Sequence, residues 1–284
     1  MRLHFVAVLA VIVAMISIQF GATLAKQLFA IIGVANTAAY RTSMAAVILL
    51  VLVRPWQGPR LSRAAIGNIA AYGTALGAMN LLFYHALSRI PLGVGVALEF
   101  VGPLGLAIFM SRRPIDLVWA GLALCGILLV HDQGLSQNGQ ELDPLGVAFA
   151  LGASICWALY IVYGRRAISH VASRRASAYG ALVAAVVVLP FSQLESYSEV
   201  LSLGVWPYAM LVALFSSAIP YTLEMKALTR LPTKTFGVLM SLEPVFAALL
   251  GHWFLSEALG LSQMLAIGAI IVASMGSILT HRTT

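Results

Sequence analysis

Charge is scarce in this chain. Asp, Glu, Lys and Arg supply 10% of its 284 residues, and 61% of the residues are hydrophobic. Mean hydropathy is +0.94. A soluble domain needs a charged coat of about a quarter of its residues, and this sequence lacks one. Cysteine is almost absent: Cys125 and Cys156 both fall in apolar stretches, and neither sits in a C-x-x-C spacing. That excludes a disulfide framework and a thiolate metal site, so both read as free buried thiols. A His-rich metal motif, a Ser–Lys pair and a G-x-S-x-G turn are also missing. No enzyme, metal or cofactor is therefore expected. The alternation of apolar and polar residues that a membrane barrel requires is missing too.

What is present is a series of long apolar runs. A bilayer core about 30 Å thick is crossed by about 20 helical residues. Ten candidate spans follow, near 3–24, 37–53, 64–86, 92–110, 115–131, 144–165, 176–193, 205–226, 234–254 and 261–280. The fold class read from this pattern is an all-α membrane protein. The first run contains Gln19 and has no small-residue cleavage site behind it, so it is kept as a helix rather than a signal peptide.

A pI near 9.7 invites a nucleic-acid reading, but the distribution of the charge rejects it. With ten crossings, all of the 17 Lys and Arg except Lys26, Arg41 and Arg89 fall on the side of the N-terminus. Asp132, Glu141, Asp143, Glu195, Glu199 and Glu257 fall on the other side. The positive-inside rule then places both termini in the cytoplasm, and the basic loops meet anionic lipid rather than nucleic acid. This bias fits an inner, plasma-type membrane.

The chain also repeats itself. Residues 86–103, ALSRIPLGVGVALEFVGP, align without gaps on 227–244, ALTRLPTKTFGVLMSLEP, at a shift of 141 residues. Ala86, Leu87, Arg89, Pro91 and Pro103 match Ala227, Leu228, Arg230, Pro232 and Pro244. Two halves result, 1–138 and 139–284, with five helices each. Five is odd, so the second copy enters the membrane from the opposite side. Inverted repeats of this kind place a substrate site near the midplane, where the halves meet.

Three glutamates lie inside predicted spans: Glu99, Glu224 and Glu243. A carboxylate in hydrocarbon is costly and persists where it faces a cavity, a partner or a pathway. Helices 3 and 4 form a hairpin turning near 88–91. At 1.5 Å per residue, Asn80 and Glu99 share a level about 13–15 Å below that turn, with Tyr84 on the face of Asn80. Pro103, Pro220 and Pro244 flank the three glutamates and favour kinks that free backbone carbonyls.

A zwitterionic ligand would find an anion in Glu99 or Glu243, and hydrogen bonds or a stacking wall in Asn80, Tyr84, Trp157 and Tyr160. Snorkelling to the outer interface is the favoured reading of Arg41, with a ligand carboxylate as its alternative. Lys26 and His252 are placed at the interface, and Gln19 is read equally as an interhelical hydrogen bond. Glu224, near Lys226 and Lys234, reads as a gate or a structural ion pair. Desolvation favours the neutral form of a carboxylate, so Glu99 or Glu243 is a candidate proton carrier.

Four segments carry a resemblance: GAMNLLFYHAL, VGVALEFVGPLGLAIFMSRRPID, IPYTLEMKALTRLPTKTFGVLMSLEP and LAIGAIIVASMGSIL. They are similar to the inner-membrane threonine/homoserine exporters of the drug/metabolite transporter superfamily, EamA type. The likeness runs along nearly the whole chain, with ten helices and two halves in the same order. It implies efflux of small neutral amino acids coupled to the proton gradient, through a cavity lined by helices 1, 3, 4, 6, 8 and 9. Asn80, Tyr84, Glu99, Tyr221, Glu224 and Glu243 match those segments.

The expected activity is therefore secondary export of threonine, homoserine and similar solutes by proton antiport, with protons and membrane lipid as the other partners. A monomer and a homodimer both fit. Three alternatives stay open: a carrier of another solute such as a drug, purine or nucleotide sugar; an uncoupled facilitator; and a structural or lipid-interacting protein. Acidic rather than basic mid-membrane charge disfavours a nucleotide sugar, whose phosphates need cations.

Overall fold

In the computed structural model the chain is helical, apart from turns and short connections, over the residues the structure describes, which are 2–110, 114–130, 142–192, 206–220, 223, 227, 231 and 239–280. In lipid, backbone groups must bond within their own segment, and a helix does this for an apolar run. The helices are α1 (Arg2–Ile32), α2 (Val34–Val53), α3 (Arg63–Leu87), α4 (Leu92–Met110), α5 (Pro114–Val130), α6 (Pro144–Ile168), α7 (Ser173–Val188), α8 (Trp206–Ala213), α9 (Glu243–Leu255) and α10 (Leu261–Thr280). Five stretches are long and apolar enough to cross a membrane: Val6–Ile32, Val34–Gln57, Arg63–Leu87, Pro144–Ile168 and Ser173–Phe191. Shorter apolar helices accompany them.

Local chemistry sets the ends. The Ser62 side chain accepts from the Ala65 amide and starts α3. Asp143 accepts from the Leu145 amide, with Pro144 in the first turn of α6. Both are N-caps that satisfy donors the helix cannot. The Arg89 guanidinium, 2.7 Å from Asp143, holds that exposed carboxyl below its usual range. Arg54, at φ 47, ends α2 before Pro55.

Two spans differ from their sequence reading. The stretch expected at 205–226 is interrupted by a wider π turn over Leu214–Ala218, with α-helix before it to Ala213 and α-helical residues again at 219–220. The stretch expected at 234–254 is broken by a turn at Ser241 and Leu242, and α9 begins at Glu243. Pro244 in the first turn explains the break, since it has no amide to donate backwards.

The interior is built around α4, which packs on α6, α9 and α10 and more lightly on α5. α3 lies between α6 and α7, and α1 lies against α8 and α9. Two glycines let α4 come close. A Cβ at Gly102 would overlap the Ser154 carbonyl oxygen of α6, and one at Gly93 would lie 2.7 Å from the Ala248 side chain of α9. Tyr84, Leu87, Ile90, Leu92 and Leu98 are fully buried at the α3–α4 hairpin.

The periphery is apolar, with Leu52, Leu117, Ile155 and Trp253 all exposed. A soluble protein does not carry this much uncovered apolar surface; a bilayer covers it. Cys125 belongs to that exposed surface and Cys156 is half-buried, which corrects the reading of both as buried thiols.

Candidate functional site

Polar side chains meet where α1, α2, α3, α4 and α9 approach one another. Glu99 on α4 and Glu243 at the start of α9 are both buried, at 8% and 6% exposure. The Glu99 carboxyl lies within electrostatic reach of Glu243 and of Arg41. Gln19 of α1, also buried, donates its Nε2 hydrogen to Glu243 Oε1 at 2.8 Å. Position in the helices gives the same level independently. Gln19 is seven residues inward of Lys26 and Glu99 seven inward of Leu92, about 10 Å in each case, and Lys26 and Leu92 bond the same side chain, Glu257.

Arg41 does not snorkel. Its Nη1 donates to Tyr84 Oη at 3.2 Å, and its guanidinium sits 5.4 Å from the centroid of the Tyr84 ring. Tyr84 is fully enclosed and leans on Phe29 of α1 at 5.3 Å between ring centroids. The physical reason for the inward turn is the local pairing: a phenol oxygen, an aromatic face and the nearby Glu99 carboxylate outweigh the route to the interface. A cation and two acids thus share one site, which is what a ligand bearing both charges requires.

The remaining expected residues are placed unequally. Trp157 of α6 packs edge-on against Phe100, next to Glu99, with ring centroids 4.9 Å apart. Asn80 is buried, but its Nδ2 donates to its own helix at Leu76 O, 2.8 Å away. Tyr160 stacks on Tyr72 at 5.0 Å. Tyr72 is two turns inward of Asn80, about 12 Å, so Tyr160 faces the inner part of the bundle. Tyr221 and Glu224 lie outside the described residues.

Three groups that sequence reasoning passed over belong here. Cys156 of α6 is close enough to Glu99 to sense its charge. The π turn of α8 is tied to α1, where Ser17 Oγ donates to Phe215 O at 2.8 Å; such turns recur at functional sites. The third is a clamp at the end of the bundle where the α3–α4 turn lies. Lys26 pairs with Glu257 and donates to Ile90 O at 3.0 Å, while Glu257 Oε2 accepts from the Leu92 amide at 2.7 Å. Lys26, expected at the interface alone, is part of this clamp. Among the described residues no cluster of three or more His, Cys, Asp and Glu is placed to hold a metal ion.

Comparison with known proteins bears on this arrangement. Residues 144–279 match the model of the EamA-like transporter family. The threonine/homoserine exporter RhtA of Escherichia coli (strain K12) is 46% identical over 271 residues, 95% of this chain and 90% of that protein. RhtA of Salmonella typhimurium (strain LT2) is 44% identical over 275 residues, 97% and 92% of the two chains. The transporter YwfM of Bacillus subtilis (strain 168) is 26% identical, covering 78% of this chain and 73% of its own. A crystal structure with 17% sequence identity aligns over 96% of each chain at a TM-score of 0.59, a likeness of fold alone. The chain is a multi-pass membrane protein, a transporter and not an enzyme, and it belongs to the EamA-like transporter family.

Proposed function

We propose that this transporter exports small neutral amino acids, threonine and homoserine foremost, across the inner membrane in exchange for protons. The observation that carries the reading is the buried pair Glu99 and Glu243, with the Arg41 guanidinium in electrostatic reach of Glu99. The ligand ammonium pairs with a carboxylate and the ligand carboxylate with Arg41. Proton and ammonium compete for the same acids, so each promotes the departure of the other, which is a minimal antiport device. The names of the two RhtA relatives support the choice of solute.

Alternating access comes from two inverted five-helix repeats, 1–138 and 139–284, with ten spans and both termini in the cytoplasm. The pattern of helix contacts supports the repeat. α3 packs on α6 as α8 packs on α1, α3 on α7 as α8 on α2, and α4 on α6 as α9 on α1. These are the pairs that a five-helix shift exchanges.

The test is counterflow in proteoliposomes with labelled threonine, homoserine, a nucleoside and a cationic drug. Threonine and homoserine should exchange, and the other two should not. Preference for the nucleoside or the drug would overturn the assignment. Glu99→Gln should abolish efflux driven by a pH gradient, and undiminished proton-coupled efflux in both Glu99→Gln and Glu243→Gln would sink the mechanism.

A further inference from the structure

The antiport reading leaves a buried atom beside Glu243 unexplained. Gln19 is 2% exposed. Its Nε2 hydrogen is used by Glu243, but its Oε1 is enclosed without a hydrogen-bond partner. Protein interiors keep few such acceptors. A fixed carboxylate needs only a donor, yet an amide brings a donor and an acceptor on one rotatable group.

The charged and titratable surroundings of Glu243 are mixed. α4 contributes Glu99, whose carboxyl also feels Arg41 of α2 and is itself felt by Cys156 of α6. Arg41 is bonded to Tyr84 of α3. α10 carries no charged residue and contributes Ser274, bonded to Ser241 at 2.9 Å. Lys26, further along α1, is held outward by Glu257 and Ile90. Glu224 lies outside the described residues. Gln19 is the partner that α1 brings to Glu243 at this depth, and Glu243 also sits in the first turn of α9, where helix amides favour an anion.

We propose that Gln19 is the positioning residue that keeps Glu243 buried and hydrogen-bonded both as an anion and as an acid, by turning its amide between donor and acceptor. This rests on the proton-coupled reading above. With Glu243 ionised, Nε2 donates as observed. When Glu243 takes one proton from the outer side, half a turn about the last side-chain bond brings Oε1 to accept from the new O–H. The proton leaves to the inner side and the amide returns. A lysine at this position would fix the charged form, and a leucine would favour the neutral one.

Gln19→Met keeps length and bulk while removing both functions. In threonine counterflow measured across pH, its half-maximal point should move upward by about one unit, because the bond lost from the charged form is stronger than the one lost from the neutral form. Efflux driven by a pH gradient should fall at least about tenfold relative to counterflow. Gln19→Asn, which keeps the amide on a shorter chain, should return the profile toward wild type. Equal losses of both activities with an unmoved pH profile would mean a merely structural contact and overturn the proposal.

Should Gln19→Met fail to fold, the wild type decides. A hydrophobic carbodiimide reacts with protonated buried carboxyls, and its adduct on Glu243 is counted by mass spectrometry. Labelling should decline as pH rises; labelling that is constant across pH overturns the proposal. That measurement needs no solute, so failure of threonine counterflow in the wild type would sink the export reading without deciding this one.

Discussion

Tyr84 is the residue through which the site is most easily probed. Its hydroxyl accepts from Arg41, and its ring lies under the same guanidinium. Tyr84→Phe removes the first contact and keeps the second. A hydrogen bond to a charged group contributes about 1.5–3 kcal/mol, so the KM for exported amino acid should rise about tenfold or more, with a fall of several degrees in melting temperature. Unchanged uptake kinetics in vesicles would remove Arg41 from the site. Glu99 and Glu243 were legible in the sequence because a carboxylate inside an apolar run is unexpected on energetic grounds alone. The direction of Arg41 was not. Residue count along a helix gives depth, but the face a side chain takes depends on neighbours from other helices, here Tyr84. Asn80 illustrates the same limit, since depth was consistent with a place beside Glu99 while its amide turned back to Leu76.

At the scale of elements, α4 is the helix whose displacement matters most, because Glu99 rides on it between α6 and α9. Its closeness to α6 depends on Gly102, where any Cβ meets the Ser154 backbone. Backbone cannot retreat as a side chain tip can, so Gly102→Ala should cost about 1–3 kcal/mol and push Glu99 away from its partners. Gly105, three residues on, has open space around it. Gly105→Ala should be neutral or stabilising by up to about 1 kcal/mol, since alanine is the better helix former. Melting temperatures of the two purified variants in one detergent make the comparison; equal effects would remove the close contact from the account. The extents of α3, α4, α6 and α10 were readable to within a few residues, for their caps, prolines and apolar lengths are local. The turn before Glu243 was not, because Pro244 fits a kinked helix and an interrupted one equally well until neighbours choose.

For the whole molecule, the clamp around Glu257 has a directional meaning. It joins α1, the α3–α4 turn and the α9–α10 turn, and so binds the first half of the chain to the second on one side only. Opening that side means breaking a partly buried ion pair and freeing the Leu92 amide. Cysteines placed at 54–63 should react with impermeant reagents only from the cytoplasmic side, and those at 132–143 only from outside. Labelling of 54–63 in intact cells would overturn the proposed inverted arrangement.

One dimension of α1 has a further effect. Its 31 residues make a rod about 46 Å long, against a hydrocarbon core of about 30 Å. Such a helix must lie oblique or extend into the headgroups, and its angle follows the thickness of the lipid around it. Gln19 and Lys26 both ride on that rod, one at the buried carboxylates and one at the clamp. For the proposed antiport cycle, acyl-chain length is therefore expected to act on both groups at once, with the bilayer a mechanical participant rather than a container.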